Sequence, residues 1–209
     1  MSDLPAGRTL ARPHLFHPGT TTPPVLLLHG TGDDEHGLVP LGQQLAPGAA
    51  LLSPRGTVLE GSMPRFFRRL AEGVFDEDDL RGRTDELAAF LVAAGEGYQL
   101  EPGSLVAVGF SNGANMAAAM LLTHPEALAD AVLIAARAPF AEAPAADLTG
   151  KRVLVSNGQR DPMAPASDTE RLAAELRERG ADVDLQLHPG GHELHGGHLQ
   201  AMSSLISSI

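Results

Sequence analysis

A chain of 209 residues with 26 acidic and 15 basic side chains carries a formal charge of −11, a field that repels nucleic acid and anionic membrane surfaces and argues against both as partners. The absence of cysteine removes disulfides, a thiol nucleophile and zinc–thiolate sites, and fits a reducing compartment, the cytoplasm by default. The length suits one domain spanning 1–209; no basic stretch leads into an apolar run at the N-terminus, and no apolar run reaches the ~18 residues of a membrane span, so neither export nor membrane insertion is expected.

Short apolar runs at Val25–Leu28, Ala49–Leu52, Leu105–Phe110, Ala131–Ala135, Val153–Val155 and Val183–Leu187 predict strands, most of them apolar on both faces. Ala11 to Pro24 leaves room for one further edge strand. Helical spacing lies between the strands: Leu38, Leu41 and Leu45, then Leu87, Phe90, Leu91 and Ala94 at i, i+3, i+4, i+7. An alanine-rich helix follows Phe110, with Met116 and Met120 as core filling. Ser167 and Glu170 have capping-box spacing ahead of Leu172, Ala173 and Leu176, and Gly180 sits where a C-terminal glycine belongs. Leu199, Met202, Leu205, Ile206 and Ile209 make a final amphipathic face. Such alternation predicts an α/β fold, a doubly wound and mostly parallel sheet with helices on both faces. Two stretches interrupt it. Ser53 to Arg83 shows no clear strand and reads as a long, functionally suspect excursion; Arg137 to Gly150 is rich in proline and alanine and too short for a helical lid, so the site should be fairly open.

Gly109-Phe110-Ser111-Asn112-Gly113 carries most of the chemistry. An apolar strand enters it and a helix leaves it, so Ser111 stands at the apex of a turn whose flanking glycines avoid clashes with strand and helix. A serine hydroxyl needs a base, and the base needs an acceptor that fixes its tautomer. In parallel sheets such groups gather at the carboxyl ends of strands. Asp161 follows the run beginning at Val153, and His192 follows a Gly-Gly loop after the last strand, giving the chain order Ser, Asp, His. His195 and His198 do not complete a metal helix with His192, because they are spaced three apart with two glycines between them. An oxyanion requires backbone N–H donors already aimed at it. Asn112 supplies one, and His29-Gly-Thr-Gly-Asp33 supplies the other through Thr31, with Gly32 in reserve.

His29-Gly-Thr-Gly-Asp33, Gly109-Phe-Ser-Asn-Gly113, Asn157-Gly-Gln-Arg-Asp161-Pro162 and Gly190-Gly-His192-Glu together resemble the α/β-hydrolases of the phospholipase/carboxylesterase family, which includes acyl-protein thioesterases. The resemblance covers most of the chain. Ser53-Pro-Arg-Gly56, Met63-Pro-Arg-Phe-Phe-Arg-Arg69 and Val74-Phe-Asp76 are similar to a bacterial branch encoded beside quinone- and catechol-detoxifying dioxygenases. Family resemblance implies hydrolysis of esters or thioesters without metal or organic cofactor, with Ser111, Asp161 and His192 as triad. Thr31 stands where a bulky apolar residue is common and Asn112 where glutamine is. Phe66, Phe67 and Phe75, three of the seven phenylalanines, are candidates for an acyl- or aryl-binding wall, with a satellite core as the competing role. Arg55 and Arg65 are candidates to clamp a substrate anion; Arg65, Arg68 and Arg69 also suit a solvated face paired with nearby acids. The expected substrate is a small-molecule ester, short-chain or aryl. Longer acyl chains, as for a thioesterase or lysophospholipase, and a non-catalytic ligand-binding role are the alternatives. Oligomeric state is left open, a homodimer included.

Overall fold

Seven strands form the central sheet of the computed structural model, which describes residues 12–101 and 103–207. In chain order the elements are β1 (His14–His17), β2 (Thr21–Leu28), α1 (Val39–Leu45), β3 (Ala49–Pro54), the short strands β4 (Val58–Glu60), β5 (Met63–Arg65), β6 (Arg69–Ala71) and β7 (Val74–Phe75), then α2 (Glu77–Tyr98), β8 (Val106–Phe110), α3 (Asn112–Thr123), β9 (Asp130–Ile134), β10 (Arg152–Gly158), α4 (Ala166–Glu178), β11 (Asp182–His188) and α5 (Leu199–Ser207). The sheet order is β1-β3-β2-β8-β9-β10-β11, parallel throughout except for the antiparallel edge pair β1–β3. The expected edge strand is therefore β1. Ala11 and Ile209, included in the predicted segments, lie outside the described residues.

Chain direction across the sheet reverses between β2 and β8: β3 is laid down on one side of β2 and the later strands on the other. Loops leaving adjacent strands at such a point diverge to opposite faces and open a crevice at the carboxyl ends. Val25 to Leu28, Val106 to Val108 and Val132 to Ile134 are entirely buried because helices cover both faces. Leu87 of α2, Met116 of α3 and Leu172 of α4 pack on one face with Leu26, Ala107 and Leu133. Leu41 and Leu45 of α1 and Met202 and Ile206 of α5 cover the other, against Leu27, Val108 and Val132.

Two local expectations change. The Ser53 to Arg83 excursion is not strandless: β4 pairs with β5 and β6 with β7 as two small antiparallel hairpins, after which Asp76 caps α2 by accepting the Asp79 N–H. Their strands are two or three residues long with Leu59, Met63, Leu70 and Val74 exposed, so no alternation marks them. Ser167 is not a cap. Helix α4 begins at Ala166, and the Pro165 carbonyl accepts from Asp168 and Thr169 at 2.9 and 3.2 Å, which leaves Ser167 inside the first turn. His14 is half-buried and bonded to the Tyr98 hydroxyl at 2.6 Å. Gly180 does close α4, with φ +95°, and 137–150 carries no helix.

Candidate active site

Ser111 sits between β8 and α3 with φ 52° and ψ −115°, a left-handed φ that costs a residue with a β-carbon about 1–3 kcal/mol and persists only where the surroundings enforce it. They do so here. A β-carbon on Gly109 would come within 2.6 Å of Ala114 Cα, and one on Gly113 within 2.0 Å of the Leu28 carbonyl oxygen. The turn is pressed between its own helix and β2, and the Ser111 N–H is tied to the Ile134 carbonyl at 2.8 Å.

Two other strand-end loops converge on the hydroxyl. After β10, Asp161-Pro162 begins a turn in which Asp161 Oδ1 accepts the N–H groups of Met163 and Ala164 at 2.8 and 2.9 Å; an aspartate bonding backbone two and three residues on is the usual use of Asp before a turn. That fixes the carboxylate, and Oδ2 faces His192 Nδ1 at 2.7 Å. After β11, the Gly190-Gly191 segment lies against Gly158 so closely that a β-carbon there would stand 2.2 Å from the Gly191 carbonyl oxygen. Arg160 N–H donates to the Gly190 carbonyl at 3.0 Å. The loops are thus knitted to each other, and His192 Nε2 reaches Ser111 Oγ at 2.8 Å. An ionised carboxylate only accepts, so Nδ1 carries the imidazole proton and Nε2 is left to accept from the serine. Burial of Asp161, at 4 % exposed, keeps water from competing for that carboxylate.

The exit of β2 is held by a buried histidine. Gly56 N–H donates to His29 Nε2 at 2.9 Å, so His29 Nδ1–H donates to the Gly30 carbonyl at 2.7 Å. Burial lowers the pKa of His29, opposed by its bond to Gly30, and a neutral ring is the form that can make both bonds. Thr31 and Asn112 both line the cavity next to Ser111, and no backbone acceptor among the described residues takes either N–H. Gly32 does not serve as a reserve donor because its N–H is already bonded to the Pro64 carbonyl at 3.0 Å. The Asn112 side chain acts elsewhere, where its Oδ1 accepts the Phe66 N–H at 2.7 Å and fastens the β5 end to the serine turn.

The cavity at Ser111 is narrow, with an accessible volume of about 40 Å³. Of the expected substrate contacts, Phe75 and Arg65 line it. Phe66 and Phe67 do not: both are fully buried, Phe66 against the His29 ring and Phe67 edge-on to Phe75 at 5.1 Å, so the satellite-core role is theirs. Arg55 also lies outside the cavity lining; it turns back to the Glu35 carboxylate, with Nη2–Oε1 at 2.7 Å. Arg68 pairs with Asp76 and Asp79. Arg65 and Arg69 both engage Glu60, and Arg69 first, then Arg65, hold that carboxyl below its ordinary pKa. Residues not singled out by sequence reasoning complete the lining, notably Asn115, Ala135, Arg137 and Met163. Two signals point to them: Asn115 is the one polar side chain between Gly113 and Leu122 of α3, and Arg137 falls just past the carboxyl end of a strand.

The phospholipase/carboxylesterase family model matches residues 18–209. Among curated proteins the chain is 44% identical over 181 residues to the putative hydrolase MhqD of Bacillus subtilis, covering 87% of this chain and 90% of that one. It is 41% identical to the Bacillus cereus carboxylesterase, with a TM-score of 0.92 over 95% of this chain and 94% of the other. The Mesorhizobium loti carboxylesterase is 28% identical, with a TM-score of 0.90 and both chains covered completely. With the sheet order, the strand-end site and a match along nearly its whole length in agreement, the chain belongs to the phospholipase/carboxylesterase family of α/β-hydrolases.

Proposed function

We propose that the protein is a serine carboxylesterase acting on small carboxylic esters, with Ser111 as nucleophile, His192 as general base and acid, and Asp161 as the group that orients the imidazole. The observation that carries this reading is the hydrogen-bonded row Ser111 Oγ, His192 Nε2, His192 Nδ1, Asp161 Oδ2, at 2.8 and 2.7 Å. In it the hydroxyl has an acceptor for its proton and the imidazole has a fixed tautomer. Attack of Oγ on the ester carbonyl carbon passes the serine proton to Nε2. The carbonyl oxygen, now an alkoxide, is met by the N–H groups of Thr31 and Asn112. Collapse expels the alcohol, which takes the proton from His192, and leaves an acyl-serine. Water enters by the same route: its proton goes to Nε2, and the acid departs as Ser111 recovers the proton.

The walls support a small substrate. Phe75 and Met163 provide apolar surface, the 137–150 connection adds no helix, and the β6–β7 hairpin closes one side with Glu72 and Gly73. This supports a short acyl or aryl group over a long acyl chain. A fluorophosphonate probe tests the nucleophile: covalent labelling confined to Ser111 and abolished in Ser111→Ala is expected, and a protein that refuses the probe is a binding protein on a hydrolase scaffold. Initial rates on p-nitrophenyl esters from acetate to palmitate test the size, with an optimum at the short end expected.

A further inference from the structure

We propose that the ester entering this cavity carries a carboxylate, held by the guanidinium of Arg137; the inference rests on the esterase reading above and narrows its substrate class. In a chain whose acids outnumber its bases by 26 to 15, the cavity wall beside Ser111 contains three arginines, Arg65, Arg69 and Arg137, against one carboxylate, the exposed Glu72. Basic side chains thus outnumber acidic ones along the wall itself, although Glu60 and Asp168 stand behind it as partners of these arginines.

The three guanidiniums are not equally available. Arg69 gives Nε and Nη2 to Glu60 at 3.1 and 2.6 Å. Arg65 gives Nη1 to Glu60 and Nε to the Phe67 carbonyl at 3.1 Å. Arg137 differs. Its Nη2 engages Asp168, and its Nε and Nη1 donate to no acceptor among the described residues, although the side chain is only 19% exposed. An added carboxylate can take one of these donors in a fork with the second Nη2 hydrogen.

Arg137 is also fixed in place. It lies just past β9, its N–H donates to Asn115 Oδ1 at 2.9 Å, and Asn115 N–H in turn bonds the Ser111 carbonyl at 2.9 Å, so the arginine and the nucleophile share one frame. The guanidinium carbon stands 5.6 Å from the Phe75 ring centre. A β-carbon at position 73 would lie 2.6 Å from Nη1, so the glycine there leaves space for the arginine head. The pairing with Asp168 engages Nη2 and leaves Nε and Nη1 without an acceptor among the described residues. The substrate class is thus the ester of a small acid or alcohol bearing a second, ionised carboxyl group, such as a half-ester of a short dicarboxylic acid.

Two pairs of probes test the inference and locate the charge. Mono-p-nitrophenyl glutarate against p-nitrophenyl butyrate places the carboxylate on the acyl side; 4-acetoxybenzoate against phenyl acetate places it on the alcohol side. In at least one pair kcat/KM is expected to favour the charged ester by about tenfold. Arg137→Gln should remove about tenfold of that ratio, the charged ester losing more than the neutral one. Asp168→Asn, which strips Arg137 of its partner, should leave the ratio unchanged or raise it. A merely structural Arg137–Asp168 pair would instead make both variants lower charged and neutral rates together, and that result overturns the inference. So does a wild-type preference for the neutral ester in both pairs. If Arg137→Gln fails to fold, wild type still decides: the charged-to-neutral ratio should fall as salt rises to about 0.5 M, where the Debye length shortens, and a salt-independent ratio contradicts an ionic subsite. Failure to hydrolyse any of the four esters, with Ser111 unlabelled by fluorophosphonate, overturns the esterase reading itself, an outcome separable from the loss of charge preference alone.

Discussion

The N–H of Gly56 points at Nε2 of His29 across 2.9 Å, and this bond decides which way the imidazole serves the loop beyond it. Because Nε2 accepts, Nδ1 must donate, and it donates to the Gly30 carbonyl, setting the peptide that leads to Thr31. A protonated ring would lose the Gly56 bond and turn a donor against a donor.

This gives stability a pH dependence of known sign. Burial lowers the pKa of His29, and burial followed by the neighbouring His195 and His188 lowers that of His198. Between each lowered native value and the unfolded value of about 6.5, the unfolded chain holds a proton that the native protein does not, so the free energy of unfolding falls as pH falls through that window. The slope is at most about 1.4 kcal/mol per pH unit for each imidazole. Urea midpoints at about pH 7.5 should exceed those at about pH 5.5, on either side of that unfolded value. A midpoint that rises on acidification contradicts the assignment.

Gly113 and Gly82 predict opposite outcomes for one chemical change. Gly113→Ala would place a methyl 2.0 Å from the Leu28 carbonyl oxygen, forcing backbone to move at the serine turn; a loss of about 3 kcal/mol or more is expected, with activity lost as well. Gly82 stands within α2, and nothing lies within 4 Å of an added β-carbon. Gly82→Ala should stabilise by about 0.5–1 kcal/mol through helix propensity. Thermal melts of the two variants are enough, and equal effects would mean that the close approach of α3 to β2 is wrong.

The phenylalanines separate core from cavity. Phe66 is fully buried, whereas Phe75 is half-buried and lines the cavity. Phe66→Ala should cost about 3–5 kcal/mol. Phe75→Ala should cost less stability and act chiefly on KM for aryl esters. Denaturation and steady-state kinetics on both variants check the division, which fails if Phe75→Ala is the more destabilising or leaves aryl-ester kinetics unchanged.

How much of this is legible in the sequence depends on how strongly each residue's surroundings are patterned. The inner strands are readable because Val25–Leu28, Val106–Val108 and Val153–Val155 are covered on both faces, which forces unbroken apolar runs. The meeting of Ser111, Asp161 and His192 is legible because each follows the carboxyl end of a parallel strand, and topology brings those ends together. Side-chain direction in irregular chain is not legible. Arg55 follows β3 on the site's side of the sheet, yet it turns to Glu35, a partner that no periodicity places. Phe66 and Phe67 sit beyond the three-residue strand β5, where neither alternation nor helical spacing shows which aromatic faces inward. Arg137 reads as the mere start of a connection, although the strand-end rule that locates Asp161 applies equally to β9. Ser167 matches a cap motif, but Pro165 starts the helix earlier.

The central claim is that the hydroxyl of Ser111 attacks the ester. Its most direct measurement is kcat/KM of Ser111→Ala on p-nitrophenyl acetate, with the melting temperature taken on the same preparation. A loss of about 10⁴-fold or more with the fold intact is expected; a folded variant that retains turnover close to wild type would contradict it.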